Sequence, residues 1–169
     1  DYRDRLAAFL DRCARDDLRV AAAVEDGGIT DAGKVRVVET RKDGIVLHGA
    51  KRHVLGASVV HELLLVPAGN IGAEHAAEAV ACAVPPNTPG VKIVNITTAP
   101  EAEDDRHYPV SREFSVPDCY VLFENVFVPS ERVFLNGETE FSGALADALG
   151  IWERARSAAE MAERAELVP

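Results

Sequence analysis

Cysteine and long apolar segments are both scarce in this sequence of 169 residues. Cys13, Cys82 and Cys119 form no C-x-x-C pair and leave one cysteine over, which argues against a disulfide framework or a cysteine-ligated zinc site. Apolar runs such as LLLV at 63–66 are far shorter than the roughly 20 residues that cross a bilayer. No signal-peptide pattern is visible. We therefore expect a cytoplasmic protein that does not enter a membrane.

Positive charge is also in short supply. The chain has 18 Lys and Arg residues against 28 Asp and Glu residues, a formal net charge of −10. An acidic surface repels nucleic acid and anionic membranes, so neither is an expected partner. Hydrophobic residues make up 47% of the chain and charged residues 27%, as in ordinary soluble proteins. A chain of this length fits one domain, and we expect residues 1–169 to form it.

Two segments, 2–16 and 140–166, have the periodicity of amphipathic helices. In each of them apolar residues recur at intervals of three and four, and charged residues occupy the opposite face. We expect the second helix to pack back on the rest of the domain. The apolar positions are Leu6, Phe9, Leu10 and Cys13 in the first helix, and Leu145, Leu149 and Trp152 in the second.

Between these helices the sequence has the composition of β-strands. Short runs rich in Val, Ile and Leu, separated by Pro, Gly and Asn, predict a mainly β fold, a compact antiparallel β-barrel over residues 35–135. The polar stretch 100–113 is the best candidate for a mobile loop. The predicted strands are VRVVET (35–40), IVLHGAKRHV (45–54), HELLLVP (61–67), AVACAVP (79–85), GVKIVNI (90–96) and CYVLFENVFVP (119–129).

Several stretches, taken in order, have a family likeness. They are YRDRLAAFLDRC (2–13), DGIVLHGAKRHVLGA (43–57), HELLLVP (61–67), AVPPNTPGV (83–91), VLFENVFVPSERVFLNGE (121–138) and EFSGAL (140–145). This ordered set resembles the middle domain of the 4-hydroxyphenylacetate 3-hydroxylase and 4-hydroxybutyryl-CoA dehydratase family, whose design is like that of the acyl-CoA dehydrogenases. The resemblance implies a β-barrel that supplies one wall of an FAD site, with AKRHVLGA (50–57) as the flavin-facing turn.

The chain departs from the pattern that the resemblance implies at three places. Leu55 stands where family members usually have Thr or Ser, and Ala22 falls near the substrate-binding His of the hydroxylases. The stretch 150–160 has neither the His nor the Cys that ligate an iron–sulfur cluster in the dehydratases. We interpret these losses as a stand-alone barrel without its redox machinery, and on this interpretation no cofactor is expected.

The candidate site residues lie on the face that the resemblance assigns to the flavin. His53 is the best acid–base candidate because imidazole exchanges its proton near neutral pH. A structural role is the alternative for His53, and for His61 within its strand. No metal site is expected, since strand alternation separates His48 from His53. We expect His53 and Tyr120 to act in catalysis, and Lys51, Arg52, Leu55, His61 and Tyr108 to contact the substrate.

Three functions are compatible with the sequence. The main hypothesis is a cofactor-free cyclase or isomerase that folds an apolar, polyketide-type substrate in a dry cavity. The alternative is an FAD- or FMN-dependent oxidoreductase, similar to an aromatic hydroxylase, or a fragment of one. A non-catalytic module that binds small molecules is the third. A homodimer is compatible with all three, because an exposed sheet edge can pair with a second copy.

Overall fold

The computed structural model describes residues 1–28, 33–96, 106 and 116–166. Within these ranges two α-helices flank eight β-strands. The elements are α1 (Tyr2–Arg15), β1 (Val20–Ala23), β2 (Arg36–Thr40), β3 (Gly44–Lys51), β4 (Glu62–Leu65), β5 (Val80–Val84), β6 (Val91–Ile96), β7 (Asp118–Pro129), β8 (Val133–Asn136) and α2 (Ser142–Glu166). The helices and strands β2 to β7 lie where the sequence predicts them, whereas β1 and β8 were not predicted as strands.

The strands form two four-stranded sheets. Sheet A has the order β1-β4-β5-β8, and sheet B has the order β2-β3-β7-β6. The described pairs among β2 to β8 are antiparallel, as predicted, whereas β1, which lies before the predicted strands, pairs with β4 in parallel. Parallel neighbours need a long crossover, and here the crossover contains β2 and β3 of the other sheet. A bridge between Asp26 and Lys51 joins the sheets, and closure into a barrel stays a prediction.

The hydrophobic core lies between the two sheets. Leu63 and Leu65 enter it from sheet A, and Leu47 and Phe123 enter it from sheet B, all four almost completely buried. Burying each such side chain contributes roughly 1.5–3 kcal/mol. β5 is buried at every position, which explains its continuous run of small apolar residues, because a strand covered on both faces does not alternate.

A bulge in β7 keeps the apolar residues of this strand on the core face. Alternate residues face the core as far as Phe123, then Glu124 and Asn125 are both exposed, and the alternation resumes at Val126. The register against β3 shifts at the same place. Asn125 has a φ of 54°, a left-handed conformation that asparagine adopts more readily than most residues.

Helix α1 packs across β8 at the edge of sheet A. Phe9 is buried, and its ring centroid lies 5.5 Å from that of Phe134. The predicted apolar stripe is only partly buried, because Leu10 is 54% exposed and Leu6 is also exposed. A four-residue strand is too short to cover the whole stripe.

Glu62 ties α1 to the segment that precedes β8. Its carboxylate, in a residue only 2% exposed, accepts hydrogen bonds from Arg12 Nη2 at 2.6 Å and from the two terminal nitrogens of Arg132 at 2.8 and 3.0 Å. Charge-assisted and bidentate contacts of this kind are the strong class of protein hydrogen bonds. The three side chains therefore form one ionic cluster around a buried carboxylate.

Helix α2 begins against sheet A. Its first residue, Ser142, is buried and accepts a hydrogen bond from Ile71 N at 3.0 Å, and Leu145 packs against the buried cluster of Val66, Ala81 and Leu135. The side chains of Leu149 and Trp152, and the loop predicted at 100–113 except for Arg106, lie outside the described residues. Neither described helix is long and apolar enough to span a membrane.

We expect Glu62→Gln to lower the free energy of unfolding by about 3 kcal/mol, because removing one member of a buried ion cluster leaves the two guanidinium groups uncompensated. Chemical denaturation measures the change. The matched control is Glu39→Gln, which breaks an exposed pair with Arg41 at 2.8 Å and should leave stability almost unchanged. Equal effects of the two substitutions would contradict a special role for the buried cluster.

Candidate functional site

The chain leaves β3 through a turn at residues 53–56 that is fixed to the start of β7. The Val54 N–H donates to Cys119 O at 3.0 Å, and the Gly56 N–H donates to Pro117 O at 2.8 Å. Val54 is completely buried. Two backbone hydrogen bonds and a buried valine thus hold the turn in one position.

His53 and Leu55 project outward on either side of the buried Val54. Leu55 is 62% exposed although the turn that carries it is well anchored. His53 has a φ of 54° and Gly56 a φ of 72°. These left-handed residues reverse the chain and present both side chains to the same region.

An open cleft of about 520 Å³ lies between this turn and β1. β1 alternates, with Ala21 and Ala23 buried and Val20 and Ala22 exposed. Beyond Gly56 the exposed Val59 and Val116 continue the apolar surface. The cleft is lined by Val20, Ala21, Ala22, Val24, Glu25, His53 and Leu55.

Asp118 holds the imidazole of His53 at the rim of the cleft. The His53 Nδ1 lies 2.9 Å from Asp118 Oδ2. The other carboxylate oxygen, Oδ1, is buried and has no hydrogen-bond partner among the described residues. An ionised carboxylate only accepts hydrogen bonds, so the Nδ1–H donates to it and the Nε2 is left to face outward.

A second charged pair lies beside the cleft. The Arg52 N–H donates to Glu25 O at 2.9 Å, and the Arg52 Nε lies 3.3 Å from Glu25 Oε2. Both side chains are more than half exposed, so this pair contributes little to stability. It balances the charge of Glu25 at the rim, and apart from Glu25 and His53 the lining residues of the cleft are apolar.

Comparison with known proteins identifies the family. Residues 1–135 match the family described as 4-hydroxyphenylacetate 3-hydroxylase N terminal. The chain belongs to the 4-hydroxyphenylacetate 3-hydroxylase family. The match covers most of the chain, including both sheets, the turn at 53–56 and Asp118.

Similar proteins of the 4-hydroxyphenylacetate 3-hydroxylase family include two curated enzymes. The chain is 36% identical over 107 residues to the 4-hydroxyphenylacetate 3-monooxygenase oxygenase component of Geobacillus sp., covering 62% of this chain and 22% of that protein. It is 28% identical over 168 residues to 4-hydroxybutyryl-CoA dehydratase/vinylacetyl-CoA-Δ-isomerase of Clostridium aminobutyricum, and this alignment covers 91% of this chain and 34% of that protein. The chain thus spans between about a fifth and a third of the length of these relatives.

A solved structure of the family shares the fold. The oxygenase component HpaB of 4-hydroxyphenylacetate 3-monooxygenase, complexed with FAD and 4-hydroxyphenylacetate, superposes with a TM-score of 0.74 at 25% identity. The alignment covers 89% of this chain and 33% of that chain. Monooxygenases and a dehydratase among the relatives support an enzyme of flavoprotein ancestry. They favour the oxidoreductase alternative over a cofactor-free cyclase or isomerase.

Lys51 does not line the cleft, contrary to the prediction that it contacts substrate. It lies between the sheets at 3% exposure, where its Nζ donates to Val24 O at 2.7 Å and Val66 O at 3.1 Å and lies 2.9 Å from Asp26 Oδ1. Burial lowers the pKa of Lys51, and Asp26 partly opposes this effect. Alternate residues of a strand share a face. Lys51 lies an even number of residues after the buried Ile45 in β3, so strand alternation alone predicts that it faces the core.

The hydroxyl of Tyr120 is engaged within the fold. It donates to the backbone carbonyl of Gly27 and so anchors the segment after β1 to the outer face of sheet B. This contact leaves the hydroxyl proton unavailable to a ligand and gives Tyr120 a structural role. The catalytic role predicted for it has no support in this geometry.

The remaining predicted residues are dispersed. His53 and Leu55 line the cleft, and Arg52 contacts its rim. His61 lies outside the lining, where its Nδ1 accepts a hydrogen bond from Arg19 N at 2.9 Å. Tyr108 lies outside the described residues. No group of three His, Cys, Asp or Glu residues in the described part of the chain could hold a metal ion.

Two site features were missed at the level of sequence. Asp118 was not singled out, because its pairing with His53 connects positions far apart in the chain. Val20 and Ala22 line the cleft because β1 is a strand that alternates, and a four-residue apolar run gives only a weak strand signal. Cys82 is completely buried, and burial raises its pKa to about 12, so its thiol is not an activated nucleophile.

The lowered pKa of Lys51 predicts how its contribution to stability depends on pH. Between the folded-state pKa and the ordinary value of 10.5, the unfolded chain binds more protons at this residue than the folded chain. Stability supplied by Lys51 therefore rises with pH in that window. We expect the free energy of unfolding of the native protein to increase relative to that of Lys51→Met as pH rises towards 10.5, measured by denaturation. A difference that stays constant with pH would refute the assignment.

Proposed function

We propose that this chain is the β-sheet domain of a flavin-dependent oxidoreductase, and that the cleft between β1 and the turn at 53–56 forms one wall of the flavin site. The observation that carries the proposal is the exposed Leu55 on a turn that backbone hydrogen bonds fix to β7. A rigid turn that exposes a large apolar side chain is suited to a flat, apolar ring.

The residues of the cleft fit an isoalloxazine ring. Leu55 in the cleft and the exposed Val59 and Val116 beside Gly56 offer apolar surface, and Gly56 has no side chain to interrupt it. A Cβ at Gly56 would lie 3.3 Å from Val116 Cγ1, so even alanine would crowd this surface. His53 adds one polar group at the edge, a pattern common in cofactor sites.

A bound flavin supplies hydride and electron transfer. The contribution of this chain is to bind, orient and exclude water. Leu55 and Val20 cover apolar ring surface and keep water from it, while His53 offers a hydrogen bond at the rim. The resemblance implies that family members use Thr or Ser at this position to hydrogen-bond the flavin. Leu55 cannot make this hydrogen bond, so in the proposal His53 supplies the polar contact.

The proposed reaction class is that of the monooxygenases. The dehydratases of the family are expected to carry cluster-ligating His and Cys residues in the region corresponding to 150–160, and this stretch has neither. The relatives' names point to a hydroxylated aromatic compound as the substrate class. We extend that class to this chain as part of the proposal.

The test is an NMR titration of the isotope-labelled chain with FAD and FMN, oxidised and reduced, since amide shifts detect weak binding. We expect the shifts to change at Val20–Val24 and at His53–Gly56. Leu55→Asp should weaken binding by at least about tenfold, because it removes the burial of a leucine side chain.

The control variant is Val94→Asp on β6, another exposed apolar residue away from the cleft, which should bind flavin like the native chain. Shift changes confined to other surfaces, or none at saturating flavin, would overturn the proposal and return the cofactor-free hypotheses to first place.

A further inference from the structure

The His53–Asp118 pair has features that a flavin wall alone does not require. An apolar wall needs shape, and the exposed valines and Leu55 supply it. A histidine whose Nδ1 is held 2.9 Å from a carboxylate oxygen is oriented for proton transfer at its other nitrogen. Asp118 lies at the first position of β7, so its own place is fixed by the sheet.

The geometry determines which nitrogen is open to a ligand. Because the Asp118 carboxylate accepts from Nδ1–H, neutral His53 carries its lone pair on Nε2. Among the residues that the structure describes, Nε2 has no hydrogen-bond partner, and His53 lines the cleft. The buried oxygen Oδ1 of Asp118 lacks a described partner, so His53 is the group that compensates this carboxylate.

Among the residues that the structure describes, the other charges near His53 are paired. Arg52 and Glu25 form an ion pair at the rim, 3.3 Å between Nε and Oε2, and Lys51 points to the opposite side of β3, between the sheets. Asp118 is therefore the charge that acts directly on the imidazole. The Asp118 carboxylate lies at hydrogen-bond distance from Nδ1 and fixes the orientation of the ring.

We propose that His53 and Asp118 form a proton-transfer dyad that serves a weakly acidic O–H or N–H group on a flat, apolar ligand in the cleft. The ligand proton moves to Nε2 and leaves its electron pair on the ligand, while Nδ1–H stays bonded to Asp118. The imidazolium then donates a hydrogen bond from Nε2–H to the ligand anion. Return of this proton from Nε2 to the ligand restores the starting state. The assignment rests on the proposed function only in taking the cleft as a ligand site.

A second histidine–carboxylate pair provides a matched comparison. His75 Nδ1 lies 3.2 Å from Glu78 Oε1, on a different surface that is not part of the cleft. If a partly exposed histidine next to a carboxylate were sufficient, the two pairs would behave alike. The proposal predicts that only His53 affects a ligand of the cleft.

The test uses 4-nitrophenol, a weak acid whose anion absorbs visible light, added to the full chain slightly below the pKa of the free phenol. NMR locates binding, and the absorbance of the phenolate reports proton transfer. We expect the bound probe to be more ionised than the free probe. His53→Asn, which tolerates the left-handed backbone, should abolish the excess. Asp118→Asn should reduce the ionisation constant of the bound probe by about tenfold, the order for losing one charge-assisted hydrogen bond.

His75→Gln is the control and should leave the excess ionisation unchanged. Amide NMR spectra establish that each variant is folded. The proposal is overturned if the probe binds elsewhere, fails to bind, or ionises equally in the native chain and His53→Asn. If flavin binds but ionisation of the probe does not depend on His53, the dyad is rejected and the proposed flavin site stands. If ionisation depends on His53 but flavin does not bind, the dyad stands and the flavin site is rejected.

Discussion

The buried ammonium group of Lys51 connects the two sheets, and the geometry of the cleft depends on that connection. Its three acceptors lie on the segments that follow β1 and β4, whereas Lys51 itself ends β3. One side chain therefore sets the distance between sheet A and the turn that begins two residues later. Such a buried charge is tolerated because each of its protons finds an oxygen, and the lining of the cleft is assembled from both sides of this junction.

The strands of this chain were predictable where the apolar pattern is long, and unpredictable where pairing joins distant segments. β3, β5 and β7 follow from their Val-rich runs between turn residues, and the bulge at Asn125 did not obscure β7. The parallel pairing of β1 with β4 could not be predicted, because a four-residue run such as β1 carries no information about its partner. The order of strands within a sheet is a property of the whole chain.

The candidate site was predicted in part for the same reason. The turn at 53–56 was identified through a family resemblance that the family match over residues 1–135 confirms. Lys51 and Tyr120 were assigned to a ligand because their chemistry is versatile, yet the fold uses both polar groups to join segments. Asp118 was missed since only the folded structure brings it to His53. Polar residue type indicates what a side chain can do, whereas its partners determine what it does.

The bulge at Glu124–Asn125 has a consequence for how this domain can change during evolution. Upstream of it the odd-numbered residues of β7 face the core, and downstream the even-numbered residues do. Deleting one of these two residues would remove the bulge and leave a regular strand in which Val126 and Val128 still face the core and Phe127 still faces outward. A homologue can therefore lose one residue at this point and keep the same core side chains, and an alignment gap there would mark the loss of the bulge with the rest of the sheet unchanged.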